Sequence, residues 1–392
     1  MILRYLIMIK GNFPVEKFKN IETPFYYYDV DLLTRTLDFV KGEADKYGYE
    51  PHYAVKANAN AKILALIASK GFGADCVSGN EVQAAVEAGF PASKIVFAGV
   101  GKTDREINLA LDHDIFCFNA ESIPELEVLN ELAGAKGKKA RVELRVNPNV
   151  DAHTHHYITT GLSENKFGFN MEDLEKIVAL VQSLPNLELI GLHFHIGSQI
   201  TDLSSFENLC VRVNELQEQF EGKGVKFANI NIGGGLGINY EHPNHMPIAD
   251  FEAYFRLFNK HLKQREGQRV HCEPGRSIVA QCGSLITKVT YVKKGNVKQF
   301  AIVDAGMTDL IRPALYEAYH RIENITSDAE VEKYDVVGPI CESSDVFDKD
   351  VELNGTKRGD LLAIRSAGAY GEIMASRYNL RNLPGAVLSS EL

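Results

Sequence analysis

Hydrophobic positions in this chain fall into short β-rich runs separated by longer stretches of helical period, and the alternation continues from about residue 30 to 273. The runs 53–57, 74–77, 94–98, 115–118, 141–146, 189–195, 227–232 and 269–273 read as strands. A helix from Asp31 to about Tyr47 precedes them. Amphipathic runs at 81–88, 171–184 (with Asn170 as N-cap), 205–220 and 251–263 read as helices between them. Eight strands, each but the last followed by a helix, make the repeat of a (β/α)8 barrel in the α/β class; a doubly wound open sheet uses the same units with fewer strands.

After Glu273 the rhythm changes. Residues 284–293, 299–304 and 360–364 are β-rich, with turn signals at Lys294-Gly295-Asn296 and Asn354-Gly355. The pattern predicts two domains: a barrel over 25–273, and a mostly antiparallel β domain, sandwich- or barrel-like, over 274–392 that takes in 1–24. The opening MILRYLIMIK is too short to span a bilayer, is interrupted by Arg4 and lacks a following small-residue cleavage site, so it reads as a strand of the second domain.

Composition narrows the function classes. The 392 residues are 45% hydrophobic and 24% charged, which suits a folded globular chain and excludes disordered, collagen-like and coiled-coil readings. A net charge of −10 disfavours nucleic acid as a partner, yet leaves room for an anionic small molecule held by local donors. Six scattered cysteines without a C-x-x-C pair argue against a zinc ribbon or a secreted disulfide scaffold, so a cytoplasmic protein is expected.

In a barrel, chemistry sits where strands end at the carboxyl face. The first strand ends in YAVKAN (53–58), and Lys56 in apolar surroundings would supply a free amine able to attack a carbonyl; it could instead reach out to solvent. His193 and His195 share one side of the sixth strand, as a metal chelate, as a platform for a flat cofactor, or as hydrogen-bonded core histidines. The seventh strand runs into GGGLG (233–237), which could cradle a phosphate or be a mobile turn. The eighth ends in Glu273-Pro274-Gly275-Arg276, where Glu273 could be a base, a metal ligand, a partner for a protonated heterocycle, or an ion-pair partner of Arg276. An amine, an imidazole, a phosphate cradle and a carboxylate together match the aldehyde, ring face, phosphate and ring nitrogen of pyridoxal phosphate.

These motifs, with GADCVSGNE (73–81), TTGLSENKFG (159–168), HFHIGSQ (193–199), EPGRSIVA (273–280), DAGMTDLIRPALYEAYH (304–320), CESSD (341–345) and GAYG (368–371), resemble the barrel-type, alanine racemase-like, pyridoxal-phosphate-dependent amino-acid decarboxylases over nearly the whole chain. The resemblance implies that Lys56 bonds covalently to the cofactor, His195 stacks on its ring and Glu273 pairs with the ring nitrogen. It places Ser198, Gly235, Gly275 and Arg276 around the phosphate, and Tyr370 against cofactor and substrate. Arg276, Arg312 and Tyr316 would bind a distal carboxylate, Cys341 would donate a proton and Glu342 would hold a distal amine.

In such families Cys341 and Glu342 enter from a neighbouring subunit, so a homodimer with shared active sites is expected. The resemblance implies meso-2,6-diaminopimelate as the substrate, which carries both a distal carboxylate and a distal amine, with L-lysine and carbon dioxide as products in the last step of lysine biosynthesis. An ornithine- or arginine-type decarboxylase would carry an acidic residue where DLIRP stands, and a non-catalytic relative would lack Lys56, Glu273 or Cys341. Ala59 and Asn80 replace the more usual Ser and Gly, and the extra histidines of 153–156 and the C-terminal ASRYNLRNLPG also depart from the pattern. No metal ligand set and no membrane or nucleic-acid partner are expected.

Overall fold

A computed structural model describes residues 11–150 and 166–392. The opening MILRYLIMIK, the histidines of 153–156 and most of the 159–168 motif lie outside the described residues.

The described chain forms two compact units, one of residues 36–237 and 250–275, the other of residues 11–35, 238–249 and 276–392. In the first, eight parallel strands follow in order: β1 (Tyr49–Ala54), β2 (Gly73–Cys76), β3 (Ile95–Phe97), β4 (Cys117–Ala120), β5 (Ala140–Asn147), β6 (Leu187–Phe194), β7 (Asn229–Asn231) and β8 (Arg269–Cys272). Each pairs with the next, and β8 pairs back onto β1 with Val270 opposite Tyr49, His271 opposite Glu50 and Cys272 opposite Pro51, so the sheet closes into a barrel. All eight predicted strands are present, shifted by at most a few residues. The largest difference matters for chemistry: β1 stops at Ala54, and Lys56 lies in the 3-10 turn Val55–Ala57 rather than inside the strand.

Helices α1 (Val30–Asp45), α2 (Ala61–Ser69), α3 (Gly79–Glu87), α4 (Asp104–Asp112), α5 (Ile123–Ala135), α6 (Leu174–Ser183), α7 (Ser204–Glu221) and α8 (Phe251–His261) accompany the strands. A short polar side chain starts several of them by accepting an orphan backbone N–H. Ser78 accepts from Glu81, Ser122 from Glu125 and Asp250 from Ala253, while Thr103 and Glu106 form a reciprocal capping box. Each cap stabilises its helix by about 1 kcal/mol. The predicted helix at 171–184 is broken in two: Met171–Asp173 is a 3-10 turn, α6 begins at Leu174, and Asn170 makes no side-chain cap.

The second unit is built on a mostly antiparallel sheet in which β9 (Gly283–Lys294) pairs with β10 (Gln299–Val303), with the strand Phe25–Tyr28 and with Leu361–Ile364. Phe18, Phe25, Tyr27, Ile286, Leu361 and Ala363 form an apolar cluster on it. No helix among the described residues is long and apolar enough to cross a membrane.

Candidate active site

Lys56 is the first residue past the end of β1 that can project from the barrel mouth, and its Nζ lies 2.6 Å from Asp75 Oδ2 on the neighbouring β2. Asp75 is fully buried. Its surroundings are therefore ionic, not the apolar pocket that the sequence suggested. Burial and the nearby Glu273 charge raise the Asp75 carboxyl to about 6, against the opposing pull of Lys56.

Glu273 is buried at the end of β8 and collects donors from three strands. Asn231 Nδ2 donates to Oε1 at 2.8 Å, Asn119 Nδ2 to the same oxygen at 3.3 Å, and His193 Nε2 lies 3.0 Å from Oε2. Burial opposes its ionisation, but His193 and Lys56 overcome that and hold the carboxyl well below the usual carboxylate range. A carboxylate offers about four acceptor positions, so one remains for a protonated ring nitrogen. His193 is thus a hydrogen-bonded core histidine that serves Glu273.

His195 lies one residue beyond β6. Gly234 N–H donates to its Nδ1 at 3.3 Å, so the ring proton sits on Nε2. Burial, with the Arg145 and Lys56 charges, keeps this imidazole well below its ordinary pKa, and it presents a neutral flat face. Arg145 is itself paired with buried Glu121 at 3.1 Å.

The glycine run is packed rather than mobile. A Cβ on Gly233 would stand 2.0 Å from the Phe194 carbonyl oxygen, and one on Gly234 would stand 2.2 Å from that of Glu273. Gly235 adopts φ +114°, where a side chain is strained. Among the described residues the N–H groups of Gly235 and Gly275 have no hydrogen-bond partner, as a bound anion requires. Ser198 is half-buried in the turn after β6. The donors, the neutral ring and the polarised carboxylate fit pyridoxal phosphate.

The remaining candidates lie in the second unit. Arg276 is buried, donates from Nη1 to Tyr240 Oη at 2.6 Å, and sits 4.9 Å over the Tyr370 ring. Tyr370 has φ +56°, a conformation costing about 1–3 kcal/mol in a non-glycine residue and kept where geometry is functional. Arg312 is also buried, 5.8 Å from the Tyr240 and Tyr316 rings, and makes no ion pair among the described residues. Its Nε donates to His320 Nε2 at 3.3 Å, while His320 Nδ1 donates to the Arg365 carbonyl at 2.9 Å. Burial and Arg312 push His320 down to about 3, so it stays neutral and can accept. Arg312 and Tyr316 stand four apart on the short helix Arg312–Tyr316, with the arginine buried.

Cys341 and Glu342 stand on an exposed loop. Cys341 N–H donates to Asn379 Oδ1 at 3.0 Å, and Tyr378 Oη donates to Glu342 Oε1 at 2.5 Å. Asp345 anchors the loop by accepting from Ile340 N–H at 2.7 Å and Met307 N–H at 2.6 Å.

Sequence reasoning missed Asp75, His193 as a partner of Glu273, Asn119, Asn231, Tyr240 and His320. It also missed Glu143, on β5, whose carboxyl oxygens have no hydrogen-bond partner. Burial, then repulsion from Glu273, raises Glu143 from 4.5 to about 8. The native state therefore holds this proton where the unfolded chain has lost it. Its contribution to stability is full below pH 4.5 and falls as pH rises to 8. A Glu143→Gln variant should be about as stable as the parent at pH 5 and more stable than it at pH 8.5, by about 2–4 kcal/mol. A parallel pair of pH–melting curves would refute this.

Comparison with known proteins agrees with this geometry. The family described as "pyridoxal-dependent decarboxylase, pyridoxal binding domain" matches residues 34–280. A diaminopimelate decarboxylase from Bacteroides thetaiotaomicron is 61% identical over 385 residues, covering 98% of this chain and all of the relative. The crystal structure of the Helicobacter pylori diaminopimelate decarboxylase complexed with L-lysine superposes with a TM-score of 0.90 at 41% identity, covering 95% of this chain and 93% of that one. The M. jannaschii diaminopimelate decarboxylase in co-complex with L-lysine gives 0.86 at 38% identity, covering 97% and 90%. With a barrel that offers the cofactor an amine, a neutral ring and an ionised carboxylate, the chain belongs to the pyridoxal-dependent decarboxylases, in the diaminopimelate decarboxylase family.

Proposed function

We propose that this chain decarboxylates meso-2,6-diaminopimelate to L-lysine and carbon dioxide, as a cytoplasmic homodimer. The observation that carries the substrate assignment is the buried Arg276–Arg312 set with its tyrosines. Arg312 is desolvated and makes no ion pair among the described residues, so it needs an anion, and a carboxylate remote from the reacting carbon supplies one. A diamine-forming substrate has no such group.

Pyridoxal phosphate, when bound, supplies an aldehyde that takes up the substrate amine and a ring that accepts the electrons left by the departing carboxylate. Lys56 Nζ would be the covalent anchor, and Asp75 Oδ2 accepts its hydrogen bond at 2.6 Å. Glu273, whose carboxylate is fixed by His193, Asn119 and Asn231, would keep a proton on the ring nitrogen. His195 supports the ring face. Ser198, Gly235, Gly275 and Arg276 would hold the phosphate. Arg276, Arg312, Tyr316 and Tyr370 orient the substrate, and His320 holds the Arg312 guanidinium by its Nε, leaving the other end for the carboxylate.

Cys341 Sγ gives the proton to the reacting carbon and Glu342 holds the distal amine, both supplied by a second copy of the chain. Their exposure on a pinned loop supports that reading. The six free cysteines suit a reducing compartment, which Cys341 needs.

The experiment is carbon dioxide release from meso-diaminopimelate, ornithine and arginine in parallel; equal release from all three would refute the assignment. Arg312→Met should raise KM at least ten-fold for meso-diaminopimelate, and an unchanged KM would remove Arg312 from the substrate site. Cys341→Ala should lose on the order of 10²-fold in kcat with cofactor still bound. Mixing it with an inactive Lys56→Ala chain should restore up to about a quarter of parent activity if sites are shared; no recovery after subunit exchange would refute sharing.

A further inference from the structure

The opposite rim of the barrel carries a second cluster that the reaction does not use. His52 of β1 and His271 of β8 face each other across the seam where the barrel closes, with His52 Nε2 2.9 Å from His271 Nδ1. The outer nitrogen of each ring fixes its proton. His52 Nδ1 lies 3.0 Å from the Lys94 carbonyl, which can only accept, so the His52 proton is on Nδ1. His271 Nε2 lies 3.1 Å from Asn229 Oδ1, and that amide is oriented by its own Nδ2, which donates to the Ile190 carbonyl at 3.4 Å. Turning it over would set two oxygens against each other, so the His271 proton is on Nε2.

The inner nitrogens of the two neutral rings are then both bare. Two lone pairs at this distance require a positive charge between them, either a third proton or a metal ion. Both rings are almost wholly buried, at 2% and 1% exposure.

A third donor stands beside them. Glu50 precedes His52 by two residues and so shares its face of β1. Glu50, His52 and His271 each offer one ligand atom, and the three atoms all lie within 4.8 Å of one another. Lys94 and Asn229 are carbonyl acceptors of the kind that orient metal-binding imidazoles. A surface cleft lined by Lys41, Asp45, Gly48, Glu50, His52 and Lys94 gives an ion a way in.

We propose that Glu50, His52 and His271 bind one divalent transition-metal ion, zinc in class, with water completing its coordination at the amino-terminal rim of the barrel. Two imidazoles and a carboxylate are a donor set that suits zinc. Tetrahedral Zn–N bonds of about 2.0–2.1 Å set the nitrogens about 3.3 Å apart, so the rings must part by about 0.4 Å. His271 makes that movement, because His52 is backed by Gly73, where even a Cβ would come within 2.3 Å of Nδ1. One oxygen of Glu50 must also turn from Arg269, which now holds both, at 2.8 and 2.7 Å. The ion would tie the first strand to the eighth. Its role is independent of the decarboxylation reading.

The test uses the full chain with pyridoxal phosphate bound, stripped with chelator and titrated with zinc. One zinc per chain should survive buffer exchange, with a melting temperature raised by several degrees. His52→Gln and His271→Gln should each bring retained zinc close to zero while circular dichroism and cofactor absorbance stay at parent values, and Glu50→Gln should weaken binding at least ten-fold. A parent chain that retains no zinc overturns the proposal, as does zinc held undiminished by both histidine variants. If a variant fails to fold, anomalous scattering from zinc-soaked crystals of the parent decides: an ion at His52 and His271 upholds the site, and an ion anywhere else, or none, overturns it.

Discussion

A Lys56→Ala chain should fold, bind pyridoxal phosphate reversibly and yield no borohydride-fixed cofactor, with turnover reduced on the order of 10³-fold or more. The geometry makes the lysine hard to replace. The chain leaves β1 at Ala54 and turns once through Val55–Ala57, which places the Lys56 amine beside Asp75 at 2.6 Å. No other lysine among the described residues of the barrel unit offers the same combination. Lys102, whose side chain is buried, is committed to Glu125 and to the Gly99 and Asn119 carbonyls. Fixed cofactor recovered from the variant at parent level would refute the assignment. Asp75→Asn should keep the covalent link but slow its formation, separating the roles of the two groups.

Glu273→Gln should lose about 10²–10³-fold in kcat while cofactor binding falls much less. The argument is electrostatic. Three donors converge on this side chain and hold it ionised despite full burial. A neutral amide of the same shape cannot keep a proton on the ring nitrogen. The cofactor absorbance should change with pH in the variant where it is constant in the parent; identical spectra across the pH range would refute the role. His193→Gln should give a milder version of the same change, since it removes one of the three donors and leaves the carboxylate in place.

The outline of the barrel was legible because buried parallel strands are short apolar runs and their helices carry a helical stripe, a contrast that survives in a single chain. The strand-end rule located Lys56, His195, Glu273 and Gly235 for the same reason. What could not be read was who stands next to whom. Asp75 reaches Lys56 only because β1 and β2 are neighbours, with Ala54 opposite Asp75. Asn119, Asn231 and His193 meet at Glu273 because the sheet closes on itself. A carboxylate within the apolar run Gly73–Cys76 was the one signal for Asp75. The histidine pair at 52 and 271 lies 219 positions apart and left no local trace. His320 sits in a quoted motif, yet only packing shows that its acceptor nitrogen faces Arg312.

Arg312, Tyr316, His320 and Tyr240 belong to one compact unit, and Lys56, Asp75, His193 and Glu273 to the other. That partition has an evolutionary meaning. On the proposed assignment, substitutions among the first four would redirect which amino acid is accepted without altering the residues proposed to anchor the cofactor and hold it protonated. A library restricted to these four positions should therefore be rich in chains that still carry cofactor, and selection for a new substrate can start from folded, loaded variants.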